Sequence, residues 1–182
     1  MSAENDFYFA EFARPVAKKG KNKRLRLLLL LAYFLFALLY VTAFTVLIML
    51  PQVIALLPLF LWIAVYFTWG LVSYECAVRV SSGKLSFLKL RGKKETPLLT
   101  LTAKEASVIA PYAEEYLSSL KESGAEILLD HRSDPDNRFA YYALFEKEGK
   151  TYAAIFDAEE KVIHSLYYYN KNTVKDKKFI IS

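Results

Sequence analysis

The sequence of 182 residues has little of the chemistry on which metal sites and disulfide-stabilised folds depend. It contains one cysteine, two histidines and six scattered glycines. A single cysteine, Cys76, excludes a disulfide within the chain and fits a reducing compartment such as the cytoplasm. His131 and His164 show no paired ligand spacing, and no glycine-rich phosphate-binding loop is present. We therefore predict no metal site and no bound cofactor.

Charged side chains are absent from 48 consecutive residues, Leu27 to Tyr74. A helix needs about 20 residues to cross the roughly 30 Å hydrocarbon core of a bilayer, so this run is long enough for two spans and too long for one. We place the spans at residues 27–50 and 53–73, with a hinge at Pro51-Gln52 because proline lacks the N–H that a helix interior requires. Pro58 either kinks the second span or marks its true start, in which case the hinge extends from Pro51 to Pro58. The run excludes a wholly soluble protein.

The basic residues near this run lie only beyond its outer ends. Seven of the 24 lysines and arginines precede the first span, and the hinge has none. Because Lys and Arg beside a span stay on the cytoplasmic side, we predict a multi-pass protein of the cell membrane with both termini cytoplasmic. A cleaved signal peptide is the alternative, but the run is longer than a signal h-region and no small-residue cleavage pattern follows it. The seven residues are Arg14, Lys18, Lys19, Lys21, Lys23, Arg24 and Arg26.

Residues 1–26 are predicted to form a basic cytoplasmic segment, separate from the transmembrane hairpin at 27–73 and from a cytoplasmic domain at 74–182. Four aromatic residues lie in the first half of this segment: Phe7, Tyr8, Phe9 and Phe12. They are expected either to lie as a helical turn in the membrane interface or to pack on the C-terminal domain.

After Ser73 the hydrophobic period changes to the two-residue repeat of a half-buried strand. Tyr74–Val80 is therefore predicted to be a strand, and Ser81-Ser82-Gly83 is predicted to be the tight turn into the next one. Asp157 and Glu160 have the spacing of a capping box at the start of a C-terminal helix with one apolar stripe. Further strands are predicted at 84–90, 96–101, 106–110, 126–129, 138–146 and 151–157, and a helix is predicted at 111–122.

This order of elements resembles a pleckstrin-homology-like (PH-like) fold. The segment from Tyr74-Glu75-Cys76 through Gly83-Lys84-Leu85 resembles the first hairpin of bacterial domains that follow a two-span membrane hairpin. The whole chain also resembles a family of uncharacterised clostridial-type membrane proteins, through residues 9–19, 110–116 and 138–150. The resemblance implies an α+β chain: a two-helix transmembrane hairpin followed by a PH-like antiparallel β domain with a C-terminal helix. It implies no activity.

The densest polar cluster is the loop from Asp130 to Asn137, which combines acidic, basic and hydroxyl side chains. Asp-Pro and Asp-Asn pairs are common turn formers, and the sequence supplies no partner nucleophile or oxyanion site. His131 in this loop and His164 on the last helix are predicted to be surface residues. We therefore predict no catalytic residues and do not expect an enzyme.

A second cluster is basic and surrounds the second predicted strand, from Lys84 onwards. It is either a sheet edge protected by charge or a contact with anionic lipid headgroups beside the membrane. From Glu75 onwards the chain has 17 basic and 16 acidic residues and is therefore nearly neutral. Such a domain lacks the broad positive surface that nucleic-acid binding needs. The predicted lipid-contact residues are Lys89, Arg91, Lys93 and Lys94.

Together these features predict a membrane-anchored, non-enzymatic binding or scaffolding protein. Its cytoplasmic domain is expected to contact an unidentified protein partner or the membrane surface. The alternative is an accessory subunit of a larger membrane complex such as a transporter, in which the spans themselves contact the partner. Those contacts would use small residues, namely Ala32, Ala37, Ala43 and Ala64.

Overall fold

The structure, a computed structural model, describes residues 9–47, 51–137 and 140–176. The chain divides into two compact units: Val16–Tyr74 forms one, and the chain on both sides of it, Met1–Pro15 and Glu75–Ser182, forms the other. The second unit, here called the domain, is therefore discontinuous in sequence. The prediction that residues 1–26 stand apart from the domain is wrong for residues 10–15.

The unit Val16–Tyr74 is helical and apolar. Helix α1 (Gly20–Thr42) continues as a π-helix over Ala43–Leu47. Helix α2 (Leu57–Thr68) follows a 3-10 helix at Pro51–Leu56 and ends in another at Trp69–Leu71. The stretches Gly20–Val46 and Gln52–Leu71 are long and apolar enough to cross a membrane.

Both helix starts differ in detail from the sequence expectation. Helix α1 begins at Gly20, seven residues before the apolar run, because Lys and Arg are good helix formers and continue the helix backwards from Leu27. Pro58 lies in the first turn of α2, where its missing N–H has no intrahelical partner to lose. It therefore marks the start of α2 rather than a kink. Of the predicted hinge, Pro51 and Gln52 begin the 3-10 helix, and residues 48–50 lie outside the described residues.

Polar side chains join the two helices at three levels. The Arg26 guanidinium donates to Val72 O (2.7 Å), and the Tyr40 hydroxyl donates to Val53 O (2.9 Å). Between them, the hydroxyl of Tyr33 is bonded to that of Thr68. Because the partners run backwards along the chain from Val72 to Val53 as α1 runs forwards, the two helical stretches form an antiparallel hairpin.

Four antiparallel strands form the first sheet of the domain. In spatial order they are β1 (Ala10–Pro15), β2 (Glu75–Ser81), β3 (Lys84–Arg91) and β4 (Lys94–Thr102). The strands β2 and β3 agree with the expected hairpin. Strand β1 was not expected, and it places Phe12 against the domain core, the second of the two locations considered for the aromatic residues. Phe7 and Tyr8 lie outside the described residues.

The second sheet contains β5 (Ala106–Pro111), β6 (Glu126–His131), β7 (Ala140–Lys147) and β8 (Lys150–Asp157), in the order β5-β7-β8-β6. Helix α3 (Glu114–Glu122) connects β5 to β6, and it begins later than predicted because Pro111 completes β5. Strand β6 pairs with β8 in parallel. The sheet is therefore not wholly antiparallel, which the alternating pattern could not reveal.

Both sheets share one hydrophobic core, which helix α4 (Glu160–Tyr169) closes. Val162, Ile163 and Leu166 of α4 are buried against Phe87 of the first sheet and Phe156 of the second. The predicted apolar stripe is therefore present. The predicted capping box is wrong: Asp157 is buried at the end of β8, where it accepts a bond from Ser133 N–H (2.7 Å), and Glu159 is the N-cap residue.

Candidate functional site

The register of the first sheet places the predicted basic residues at the end of the sheet where β1 ends and β2 begins. Pro15, the last residue of β1, pairs with Glu75, the first residue of β2. Glu75 pairs with Leu90 near the end of β3, and Arg91 pairs with Lys94 across the next turn. The β3–β4 turn therefore lies at the same end of the sheet as the two points where the chain leaves the domain for the helical hairpin. We call Arg91, Lys93 and Lys94 the basic tip.

The basic tip is built by a two-residue turn. Gly92 has a φ of +57°, a conformation that side-chain-bearing residues rarely adopt, and it allows β3 to reverse directly into β4. All three side chains of the basic tip are exposed. Lys89 is half-buried along the same strand, opposite Cys76, and burial followed by the charge of Arg91 lowers its pKa. The structure thus brings three of the four predicted residues together at the exposed turn.

The acidic residue next to the basic tip, Glu95, forms an ion pair with Arg79 rather than with the tip. Glu95 accepts two bonds from the Arg79 guanidinium (2.8 and 2.9 Å), and Arg79 also bonds Glu11 of β1 (2.9 Å). These bonds lower the pKa of Glu95 and raise that of Arg79. The ion pairs described for Arg79 and Arg132 do not involve the basic tip. The positive charge of the tip is therefore available to an anion.

His131 is not the surface residue that was predicted. Strand β6 extends to His131, whose side chain is 4% exposed. Its Nε2–H donates to Ala77 O (3.1 Å) and its ring packs edge-on against Phe87, so the residue links the two sheets. Burial lowers the pKa of His131 and favours the neutral ring. His164 is exposed, as predicted.

The remaining polar loop is held by contacts within it and by contacts to Tyr112 and Asp157. The Arg132 guanidinium forms a two-point pair with Asp130 (2.7 and 2.9 Å), donates to Pro135 O (3.0 Å) and lies over the ring of Tyr112. Burial opposes ionisation of Asp130, but the bonds from Arg132 outweigh it and lower the pKa. These contacts give Arg132 and Asp130 a structural role.

The single cysteine is poorly suited to chemistry. Cys76 is buried in β2, and burial raises the pKa of its thiol to about 12, so the nucleophilic thiolate is disfavoured at neutral pH. Within residues 9–47, 51–137 and 140–176, no three His, Cys, Asp or Glu side chains come together to hold a metal ion.

Comparison with known proteins agrees with this fold. Residues 5–176 match the family described as Bacterial PH-like domain (DUF6106). The chain belongs to this family. The matched residues span both apolar helices as well as the domain. No curated protein and no solved structure matches the chain. The family description names a fold and no activity.

The feature that sequence reasoning missed is the pairing of β1 with β2. A weak signal existed, because Ala10 and Phe12 alternate with Glu11 and Ala13 in the two-residue period of a strand. Six residues of this kind show that a strand is possible but not where it pairs. Without that pairing, the position of the basic tip relative to Pro15 could not be found.

Proposed function

We propose that this chain is a membrane-anchored binding protein without catalytic activity, whose basic tip contacts anionic lipid headgroups at the cytoplasmic face of the bacterial cell membrane. One observation carries the proposal: the basic tip lies at the end of the sheet where β1 and β2 continue into the helical hairpin. Kinship to clostridial-type two-span membrane proteins remains a prediction.

The pairing of β1 with β2 supports a two-span topology. The two strands lie on either side of the apolar helices in sequence, yet they form one sheet. A sheet forms on one side of a membrane, so the hairpin must enter and leave on that side. Seven basic residues before the apolar run favour the cytoplasmic side. Both termini are then cytoplasmic in a multi-pass protein.

Electrostatics explains why the position of the basic tip matters. Lys and Arg near an anionic surface each gain about 1 kcal/mol, but this attraction is screened within about 10 Å at 0.1 M salt. Residues 72–74, which link the end of the second apolar stretch at Leu71 to β2, extend at most about 11 Å. A charged tip at this end of the domain is therefore within useful reach of headgroups, whereas the same charges at the opposite end would be screened.

The lipid contact can be tested on the full chain in nanodiscs of phosphatidylcholine, with and without phosphatidylglycerol. Thr96→Cys provides a fluorophore site beside the basic tip, and Lys104→Cys provides one beyond the other end of β4; both positions are exposed, whereas Cys76 is buried. We expect the Thr96 emission to shift to shorter wavelength only with phosphatidylglycerol, and added salt to reverse the shift. The Lys104 fluorophore should not respond.

A matched pair of charge variants sharpens this test. Lys93→Gln with Lys94→Gln should abolish the response of the Thr96 fluorophore. Lys147→Gln with Lys150→Gln removes the same charge from the β7–β8 hairpin, where these residues form a cross-strand pair, and should leave the response intact. Equal emission in both lipids, or equal loss of the lipid response in both double variants, would contradict the lipid contact. The basic tip would then only protect the edge strand β4.

A second candidate function is that of an accessory subunit of a larger membrane complex. It is favoured by an exposed aromatic face on α2, where Trp62, Tyr66 and Phe67 are 65%, 70% and 75% exposed. The predicted small residue Ala64 is not part of this face, because it lies one turn before Thr68, whose hydroxyl is bonded to Tyr33 of α1. Affinity capture of the detergent-solubilised chain, compared with a Trp62→Leu and Phe67→Leu variant, tests this: a partner lost only from the variant supports the subunit role.

A further inference from the structure

Strand β6 leaves one edge of the second sheet open. The sheet order ends at β6, and among the described residues no strand pairs with its outer side. The opposite edge, at β5, is covered, because Ile109 N–H donates to Thr173 O and Lys175 N–H donates to Ile109 O (both 2.8 Å). Ile127 and Leu128 on β6 are 53% and 47% exposed. An exposed apolar edge strand of this kind is a template for another strand.

The segment that carries β6 is strongly acidic. Residues 111–137 contain seven acidic and two basic residues, although the whole chain has a net charge of +5. Glu122 ends α3 and Glu126 begins β6, and both side chains are exposed. The open edge therefore combines an apolar centre with negative charge at its start.

We propose that the open edge of β6 docks an extended, basic segment of a partner protein, which adds as a fifth strand to the second sheet. Main-chain hydrogen bonds supply affinity in this mode, and side chains beside the edge supply specificity. Ile127 and Leu128 contact apolar residues of the segment, and Glu122 and Glu126 select lysine or arginine. The inference goes beyond the proposed lipid contact and does not depend on it.

Charge argues against the two other occupants. In a pairing of two copies of β6, the second copy would offer the same exposed carboxylate at Glu126 rather than a cation that complements it. An anionic membrane surface would repel the same carboxylates. A basic polypeptide is the occupant that this surface attracts.

The test uses the full chain in nanodiscs of neutral lipid and a fluorescent octapeptide of alternating lysine and valine. We expect saturable binding by anisotropy that weakens with added salt, and no binding of the matching peptide of glutamate and valine. Glu126→Lys should weaken the lysine peptide roughly tenfold, by turning an attractive charge into a repulsive one. Glu146→Lys, the same reversal at an exposed residue of the interior strand β7, should change binding less than about twofold.

Two single-cysteine variants distinguish a basic peptide from a second copy of the chain as the occupant. A fluorophore on Leu128→Cys should respond to the lysine peptide, and one on Leu98→Cys, at an equally exposed leucine of the other sheet, should not. Absence of saturable binding, or equal binding of both peptides, overturns the proposal. A disulfide-linked dimer that forms in membranes from Leu128→Cys but not from Leu98→Cys would overturn it in favour of a second copy.

Discussion

The two ends of the first sheet are built differently, although each is a two-residue hairpin turn. At the β2–β3 turn, Gly83 O accepts a bond from Ala103 N–H (2.7 Å), and a side chain at Gly83 would meet the ring of Tyr169 at 3.3 Å. At the β3–β4 turn, no atom of residues 9–47, 51–137 or 140–176 lies within 4 Å of a side chain built at Gly92. One end is packed under α4, and the other is open and carries the basic tip. The packed end serves stability, and the open end is available for contact.

The largest expected effect concerns the helix that closes the packed end. Leu166→Ala removes a side chain that is 1% exposed in the shared core and should lower the free energy of unfolding by about 2–5 kcal/mol. Urea midpoints of the full chain in detergent, read by pulse proteolysis, measure it. Tyr168→Ala, at a half-exposed residue of the same helix, is the control and should cost far less. Similar midpoints for both variants would mean that α4 is peripheral.

The two turn glycines allow a direct comparison of the ends. Gly83→Ala and Gly92→Ala each force alanine into positive φ, at roughly 1–2 kcal/mol. Gly83→Ala should cost more, because the new methyl group must also displace the Tyr169 ring. The same urea titration compares them. Equal costs would show that the packing of Tyr169 on the turn contributes nothing to stability.

Acid should weaken the link between the two sheets. Burial lowers the pKa of His131 in the folded chain, while the unfolded chain takes up this proton near pH 6.5. The contribution of His131 to the free energy of unfolding is therefore full above about pH 6.5 and is lost as the pH falls from there towards the folded pKa. Urea midpoints over this range should show the decline, and His131→Gln should remove it. His164→Gln, at the exposed histidine, is the control; if it flattened the profile instead, His131 would not be the group responsible.

The smallest effect on stability is expected at the open end. Lys93→Gln with Lys94→Gln should change the free energy of unfolding by no more than about 0.5 kcal/mol, because both side chains are exposed and make no described ion pair. The urea midpoint should stay unchanged while the lipid response of the Thr96 fluorophore disappears. A clear loss of stability would show that the basic tip has a structural role.

Local sequence patterns were sufficient where an element makes its contacts nearby. The alternation after Ser73, the Ser82-Gly83 turn and the apolar stripe of α4 all predicted the observed elements, because period and turn chemistry act over a few residues. Strand β1 was missed because its partner begins 60 residues later. The parallel direction of β6 was missed for the same reason, since a two-residue period is identical in either direction.

For the candidate site, the sequence predicted which residues group together but not where the group lies on the domain. Lys89, Arg91, Lys93 and Lys94 are close in sequence, so their grouping was evident. Their position beside Pro15 follows from the register of three strand pairs, which no local pattern contains. His131 is buried because β6 continues for two residues beyond the predicted strand end at residue 129. The sequence does not mark this end clearly, because the polar residue Asp130 resembles the start of a loop.

The pairing of Pro15 with Glu75 also sets the order of events during synthesis. Strand β1 leaves the ribosome first, but its partner β2 follows 60 residues later, after both apolar helices. At about 5–20 residues per second, β1 waits roughly 3–12 seconds without its partner strand while the two helices are synthesised. Glu11 and Arg14 keep this waiting strand polar. The domain can complete its first sheet only after the second helix has been made, so synthesis of the whole helical hairpin precedes folding of the domain.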